Sequence, residues 1–253
     1  MRIIFHPDFY RSDYSNDGSA ASGRMEAIMD QLKKSRNHII VKPEMALEED
    51  IRRAHKDSYV HSVKKKQELF EMAMLSAGAA ITASQLCLTG TPAMSINRPP
   101  GHHAYREMGW GYCHFNNMAI ALLRLLEKSS ISSAFLIDFD AHTGDGTRDI
   151  LKGMKNIRIF NPMAETPQEY IKQIEDHIKD LPKMDIIAVC AGFDNYEKDL
   201  GKKLRTFDFY NIGIILKNLS KKFGNNKRFA VLEGGYYQPD LGKNVAAFCE
   251  GFE

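Results

Sequence analysis

The chain has 253 residues, 43% of them hydrophobic and 26% charged, with 34 Lys and Arg against 32 Asp and Glu for a formal net charge of +2. That length suits one large domain or two small ones, and the lack of a linker-like stretch favours a single domain over 1–253. The composition excludes disordered, collagen-like and coiled-coil chains, and the near-neutral balance gives a phosphate-neutralising nucleic-acid surface little to rest on.

Short apolar runs rich in Ile, Val and Phe alternate with longer amphipathic stretches along the chain. RIIF at 2–5 reads as a buried strand and is too short an apolar run for a secretory leader. A helix is expected near 20–35, a strand at 38–41, and a long helical stretch over 59–89 in which the lysines at 64–66 form a solvated face. AMSI at 93–96 reads as the next strand and 115–128 as a helix, followed by strands at 133–139 and 156–160. The remaining elements are a helix at 167–180, a strand at 185–190, a helix at 206–221 opened by Thr206, a strand at 228–232, and a helix at 239–251 with Pro239 in its first turn. No window approaches 18 consecutive apolar residues, so neither a membrane-crossing helix nor a membrane partner is expected. The four cysteines, Cys87, Cys113, Cys190 and Cys249, are far apart with no CxxC pair, which argues against a disulfide framework and makes the cytoplasm the default location. The alternation predicts an α/β protein with a mostly parallel central sheet covered by helices on both faces.

In such sheets ligands bind beyond the carboxyl ends of the strands, and four strand ends carry chemistry. NRPPGHHA follows 93–96, DFDAHTGDGT closes 133–137, AGFDNYEKD follows 185–190, and EGGYYQPD follows 228–232. Asp138, Asp140 and His142 are spaced by two, so on an extended segment they leave one face and can converge on a metal; the same string also arises as a helix cap with a solvated histidine. Asp194 closes AGFD at another strand end and is the natural third ligand, though taken alone it reads better as a cap or turn aspartate. Two carboxylates and one imidazole leave a fourth position open, as catalytic zinc sites do, and Fe2+ or Co2+ suit the same donors. His102 and His103 can divide labour, one as a general base and the other held cationic, while an HH pair taken alone is better read as two surface histidines. Glycines 234 and 235 allow close backbone approach and aim Tyr236 over a cavity; a lone GGY would only mark a turn. The joint occurrence of these clusters favours a catalytic site.

With these motifs in order, RPPGHHA at 98–104, GYCHFNN at 111–117, DFDAHTGDGT at 138–147, AGFD at 191–194 and EGGYY at 233–237, the sequence resembles the zinc-dependent histone deacetylase superfamily over nearly its whole length. That superfamily includes acetylpolyamine amidohydrolases and acetoin-utilisation proteins. The resemblance implies a three-layer α/β/α arginase/deacetylase-like fold and hydrolysis of an N-acyl amide such as acetyl-lysine or an acetylated polyamine. It implies that Asp140, His142 and Asp194 hold zinc, that His103 is the general base and His102 its charged partner, and that Asp138 and Asp145 stand behind His102 and His103. Tyr236 would polarise the scissile carbonyl, and Gly111 and Tyr112 would grip the acyl-amine stem.

Departures from the family pattern qualify these implications. His142-Thr143-Gly144 replaces the usual second histidine, and NPMAETP at 161–167 replaces a longer loop that normally supplies an aromatic wall, which leaves Tyr112 as the sole wall aromatic expected. Lower walls and weak discrimination among acyl groups follow, with a partner subunit able to cover the rim. The family's potassium site relies partly on the strand at 156–160, where Arg158 falls near an expected small polar residue, so K+ is left open. Two further readings compete: a binuclear ureohydrolase, which needs a carboxylate set beside Asp194 that Asn195-Tyr196 does not supply, and a non-catalytic acyl- or metabolite-binding module, which the intact Tyr236 and histidines disfavour.

Overall fold

A computed structural model describes residues 1–35 and 37–253. The seven anticipated strands form at β1 (Arg2–Ile4), β2 (Ile39–Val41), β3 (Ala93–Ser95), β4 (Ala134–Asp138), β5 (Ile157–Phe160), β6 (Ile186–Ala191) and β7 (Arg228–Leu232). They make one sheet in the order β2-β1-β3-β7-β6-β4-β5, every neighbouring pair parallel. Parallel neighbours require crossovers, and helices supply them. The helices are α1 (Arg24–Leu32), α2 (Glu48–Arg52), α3 (Asp57–Lys64), α4 (Gln67–Leu86), α5 (Asn117–Glu127), α6 (Asp145–Ile150), α7 (Pro167–Lys179), α8 (Thr206–Phe223) and α9 (Gln238–Phe252).

Strands β4, β6 and β7 are buried at every position, which is why they read as continuous apolar runs rather than alternating ones. Helix α4 packs on β1, β3, β7 and α5, while α8 packs on β6, α7 and α9, and α9 on α1. The result is the parallel α/β class that the sequence pattern predicts, in the arginase/deacetylase-like form that the family resemblance implies. The strands whose ends carry the four motif clusters, β3, β7, β6 and β4, are adjacent in the middle of the sheet, so the clusters meet there. The intervening β5 is displaced to the edge, where Arg158 is exposed.

Two expectations need correction. The helical stretch over 59–89 is two helices, α3 and α4, separated at Lys65 and Lys66. Lys64, Lys65 and Lys66 are all exposed and offer no apolar side chain to hold a continuous helix on the core, so they mark the break rather than one helix face. The segment Gln67–Thr89 is also long and apolar enough on average to cross a membrane, although its small and hydroxyl residues interrupt any strict apolar run. Nearly every position of α4 from Leu69 to Ser84 is buried, so in this fold that apolarity is spent on the sheet. All four cysteines are buried and free.

Candidate active site

The β4 strand ends at Asp138, so Asp138, Asp140 and His142 do not project from one extended face as their spacing suggested. The chain turns instead. The Asp140 N–H donates to Asp138 Oδ1 at 3.1 Å and the His142 N–H donates to Asp140 Oδ1 at 3.0 Å. This turn sends the second oxygen of Asp138 away to His102 and leaves Asp140 with His142 and Asp194. Phe139, between the two aspartates, points into the core and packs edge to face on Phe193, the neighbour of Asp194, with ring centroids 5.7 Å apart. One aromatic pair therefore ties together the two strand ends that carry the carboxylates.

Asp140, His142 and Asp194 offer ligand atoms that all lie within 4.8 Å of one another. His142 Nδ1 is 3.0 Å from both Asp140 Oδ1 and Asp194 Oδ2. Backbone N–H groups hold the other carboxylate oxygens: Gly234 donates to Asp140 Oδ2 at 2.8 Å and Ala141 to Asp194 Oδ1 at 2.9 Å. Asp194 Oδ2 is buried and meets no polar group other than His142 Nδ1. Gly234 is required here, because a Cβ would stand 2.6 Å from Asp140 Oδ2 and 2.8 Å from Asp194 Oδ2. Burial and the neighbouring Asp140 push the Asp194 carboxyl up to about 7, and hydrogen bonds to Asp140 and Asp194 push His142 up to about 10. Two buried carboxylates that demand positive charge, joined to an exposed imidazole and with Asp194 Oδ2 met only by that ring, present hard oxygen and nitrogen donors that fit a divalent cation.

The two histidines pack beside this cluster with ring centroids 4.0 Å apart and planes tilted by 44°, each backed by the carboxylate that the resemblance implied. His102 Nδ1 is 3.0 Å from Asp138 Oδ2, and His103 Nδ1 is 2.7 Å from Asp145 Oδ1. Their electrostatics diverge. Burial disfavours charge on His102, but Asp140 and Asp138 outweigh it and hold the imidazole well above its ordinary value. Burial and the charge on His102 push His103 down, against the pull of Asp145. One ring is thus kept cationic and the other neutral, the division that an acid–base pair needs.

Glu233 fixes the backbone under both rings, its Oε2 accepting from the N–H groups of Gly101 at 2.7 Å and His102 at 3.1 Å. The second cluster of metal-binding residue types among the described residues, His102, Cys113 and Glu233, offers no metal site. His102 and Glu233 Oε2 are engaged as described, and although Glu233 Oε1 has no partner, burial pushes the Cys113 thiol well up, which keeps it protonated and a poor ligand. Among the described residues no carboxylate set for a second metal stands beside Asp194, where Asn195 instead donates to the Phe139 carbonyl at 2.9 Å.

Tyr236 follows the β7 end. Asp199 Oδ2 accepts from the N–H groups of Tyr236 and Tyr237 at 2.6 and 2.7 Å, and buried Arg24 donates to the carbonyls of Gly235 and Glu233 at 2.8 and 2.7 Å. Burial and the Asp140 charge push the Tyr236 phenol up, so it stays protonated and able to donate. A cavity of about 240 Å³ brings His102, His103, His142, Tyr236, Gly111 and Tyr112 onto one surface. A larger open groove of about 670 Å³ along α6 and β5 holds Asp145 alone of the candidate residues.

Residues 19–163 match the model of the histone deacetylase domain. The chain belongs to the histone deacetylase family. Its similar proteins include a "Probable deacetylase" of Archaeoglobus fulgidus, 27% identical over 92% of this chain and 80% of the relative. A "Probable deacetylase" of Methanothermobacter thermautotrophicus is 28% identical over 99% and 90%, and the acetylpolyamine amidohydrolase of Mycoplana ramosa is 29% identical over 72% and 63%. Family membership bears out the expected activity, metal-dependent hydrolysis of an acyl amide. The matched stretch contains every candidate residue except Asp194 and Tyr236, which the fold places in the same site.

In this member of the histone deacetylase family, Trp110 corrects the expectation of a single wall aromatic. It lies in the cavity wall, its ring 4.0 Å from that of His103 and tilted by 33°. Leu200 also lines the cavity. Trp110 is the neighbour of the GYCHFNN motif and was findable from it, as Asp199 was from its place after AGFD. Arg24, more than 200 residues from the carbonyls it holds, carries no sequence signal.

Proposed function

We propose that this deacetylase binds one zinc ion through Asp140, His142 and Asp194, with Fe2+ or Co2+ able to use the same donors, and releases acyl groups from acyl-lysine or acetylpolyamine substrates. The observation that carries this reading is one cavity lined by two carboxylate-backed histidines of opposite charge preference, a protonated tyrosine and His142, which joins it to the Asp140 and Asp194 carboxylates. The relative named acetylpolyamine amidohydrolase supports the polyamine arm of the substrate range.

Bound there, the metal supplies Lewis-acid polarisation of the scissile carbonyl and acidifies water. His103, neutral and oriented by Asp145 at Nδ1, presents Nε2 to take a proton from the attacking water and to return it to the leaving amine. His102 stays protonated against Asp138 and offsets the negative charge that develops beside it. Tyr236 donates its phenolic proton in a hydrogen bond to the carbonyl oxygen, and the Asp199 contacts fix its backbone for that task.

Metal analysis of chelated and reloaded protein, combined with turnover of an acetyl-lysine peptide, acetylputrescine and acetylspermidine, tests the proposal. One metal per chain with release of acetate is expected. Activity restored only at two metals per chain would favour the binuclear reading, and metal binding without turnover of any acyl amine would favour the binding module.

A further inference from the structure

We propose that Trp110 is the specificity-determining wall of this site, selecting substrates with a linear apolar stem between the scissile amide and the amine carrier. The inference rests on the deacetylase reading above. Gly111 at φ 55° and Tyr112 at φ 68° form two consecutive left-handed residues, an arrangement that a tyrosine adopts only at a cost of about 1–3 kcal/mol. The backbone between the two aromatics lies directly on the base, since a Cβ at Gly111 would stand 2.6 Å from His103 Cδ2. The strained turn therefore sets Trp110 on His103 and Tyr112 edge-on to Tyr236, with centroids 4.0 and 5.9 Å apart, so each proton-handling side chain has one aromatic beside it.

Although Trp110 packs on His103, it remains 47% exposed, and Tyr112 and Leu200, which line the same cavity, are 43% and 61% exposed. Three large apolar side chains left open to water around one small cavity form a patch that a ligand would cover. By contrast, Met163 in the 161–167 segment is 69% exposed and does not line this cavity. A chain of methylenes entering toward His103 and Tyr236 would cover the open part of the indole, which a short acyl amide without a stem would not reach.

Trp110 is the sole tryptophan of the chain, so indole emission reads this wall directly in the unmodified protein. The experiment compares two ligands with the same metal-binding head in the zinc-loaded protein: acetohydroxamate, which has no stem, and a hydroxamate bearing a six-methylene stem capped by an anilide. The stem-bearing ligand should move Trp110 emission to shorter wavelength as water leaves the ring, whereas acetohydroxamate should leave it nearly unmoved. The affinity ratio between the two ligands should fall about fivefold in Trp110→Ala, the equivalent of about 1 kcal/mol for roughly 40 Å² of lost apolar contact, and about twofold or less in Trp110→Phe. Identical emission in both complexes, together with an unchanged ratio in Trp110→Ala, would overturn the wall while leaving the metal centre standing. A stem-dependent emission shift in protein that fails to bind acetohydroxamate would support the wall and overturn the metal reading instead.

Discussion

At the floor, behind the histidines that line the cavity, Asp138, Asp140 and Asp194 are at most 4% exposed and each of their oxygens has a polar partner, Asp194 Oδ2 only His142 Nδ1, whereas at the mouth Trp110, Tyr112 and Leu200 stand between 43% and 61% exposed. The floor is a polar network in a low-dielectric setting, where losing one partner leaves another buried group uncompensated. The mouth works through apolar area at about 25 cal/mol per Å², where losing one side chain removes only its own contact. Chemistry is thus concentrated in a few intolerant positions, and selectivity is spread over tolerant ones.

The sharpest test of that contrast is His103→Ala, expected to lower kcat by about 10²–10⁴ with little change in KM, because the ring handles the proton in the chemical step. Steady-state kinetics on an acetyl-lysine peptide would show it, and near-normal turnover would break the assignment. Tyr236→Phe removes a hydrogen bond made mainly as negative charge develops, so kcat should drop about 10²–10³ while hydroxamate affinity, measured by calorimetry, is retained. Asp145→Asn keeps the shape behind His103 and changes its basicity; a loss of about 10–100-fold in kcat/KM is expected.

The charge on His102 supplies a test by pH. Burial and that charge hold His103 below its ordinary 6.5, so the acid limb of kcat/KM should have its midpoint below about 6.5. Removing the cation in His102→Asn takes away a repulsion felt by protonated His103 and should move the limb to higher pH. A limb that stays put or moves down would show that the two rings do not communicate. The smallest effect belongs to the mouth: Leu200→Ala should raise KM about twofold to threefold and leave kcat unchanged. A large fall in kcat there would show that floor and mouth are not separable.

Much of the floor was legible before the fold, because its residues must sit at strand ends and each strand announces itself as an apolar run. The pairs His102–Asp138 and His103–Asp145 form as the family resemblance implied. The spacing argument for Asp138 was incomplete, since alternation holds only while the chain stays extended and β4 stops at that residue. The mouth was harder to read. Trp110 stands beside a recognised motif, yet nothing local says that a left-handed turn at Gly111 and Tyr112 folds its ring onto His103.

Sequence alone determined the parallel α/β class, the seven strands and the residue types of the metal and proton-transfer groups, because hydrophobic runs and donor chemistry are local properties of the chain. Only the tertiary structure decided that β3, β7, β6 and β4 lie side by side with β5 outside them, that Phe139 and Phe193 join the two carboxylate-bearing ends, and that Arg24 and Asp199 hold the Tyr236 turn. Those are contacts between residues far apart in the chain, set by how helices and strands fill space together, and neither local pattern nor residue type encodes which distant partner will arrive.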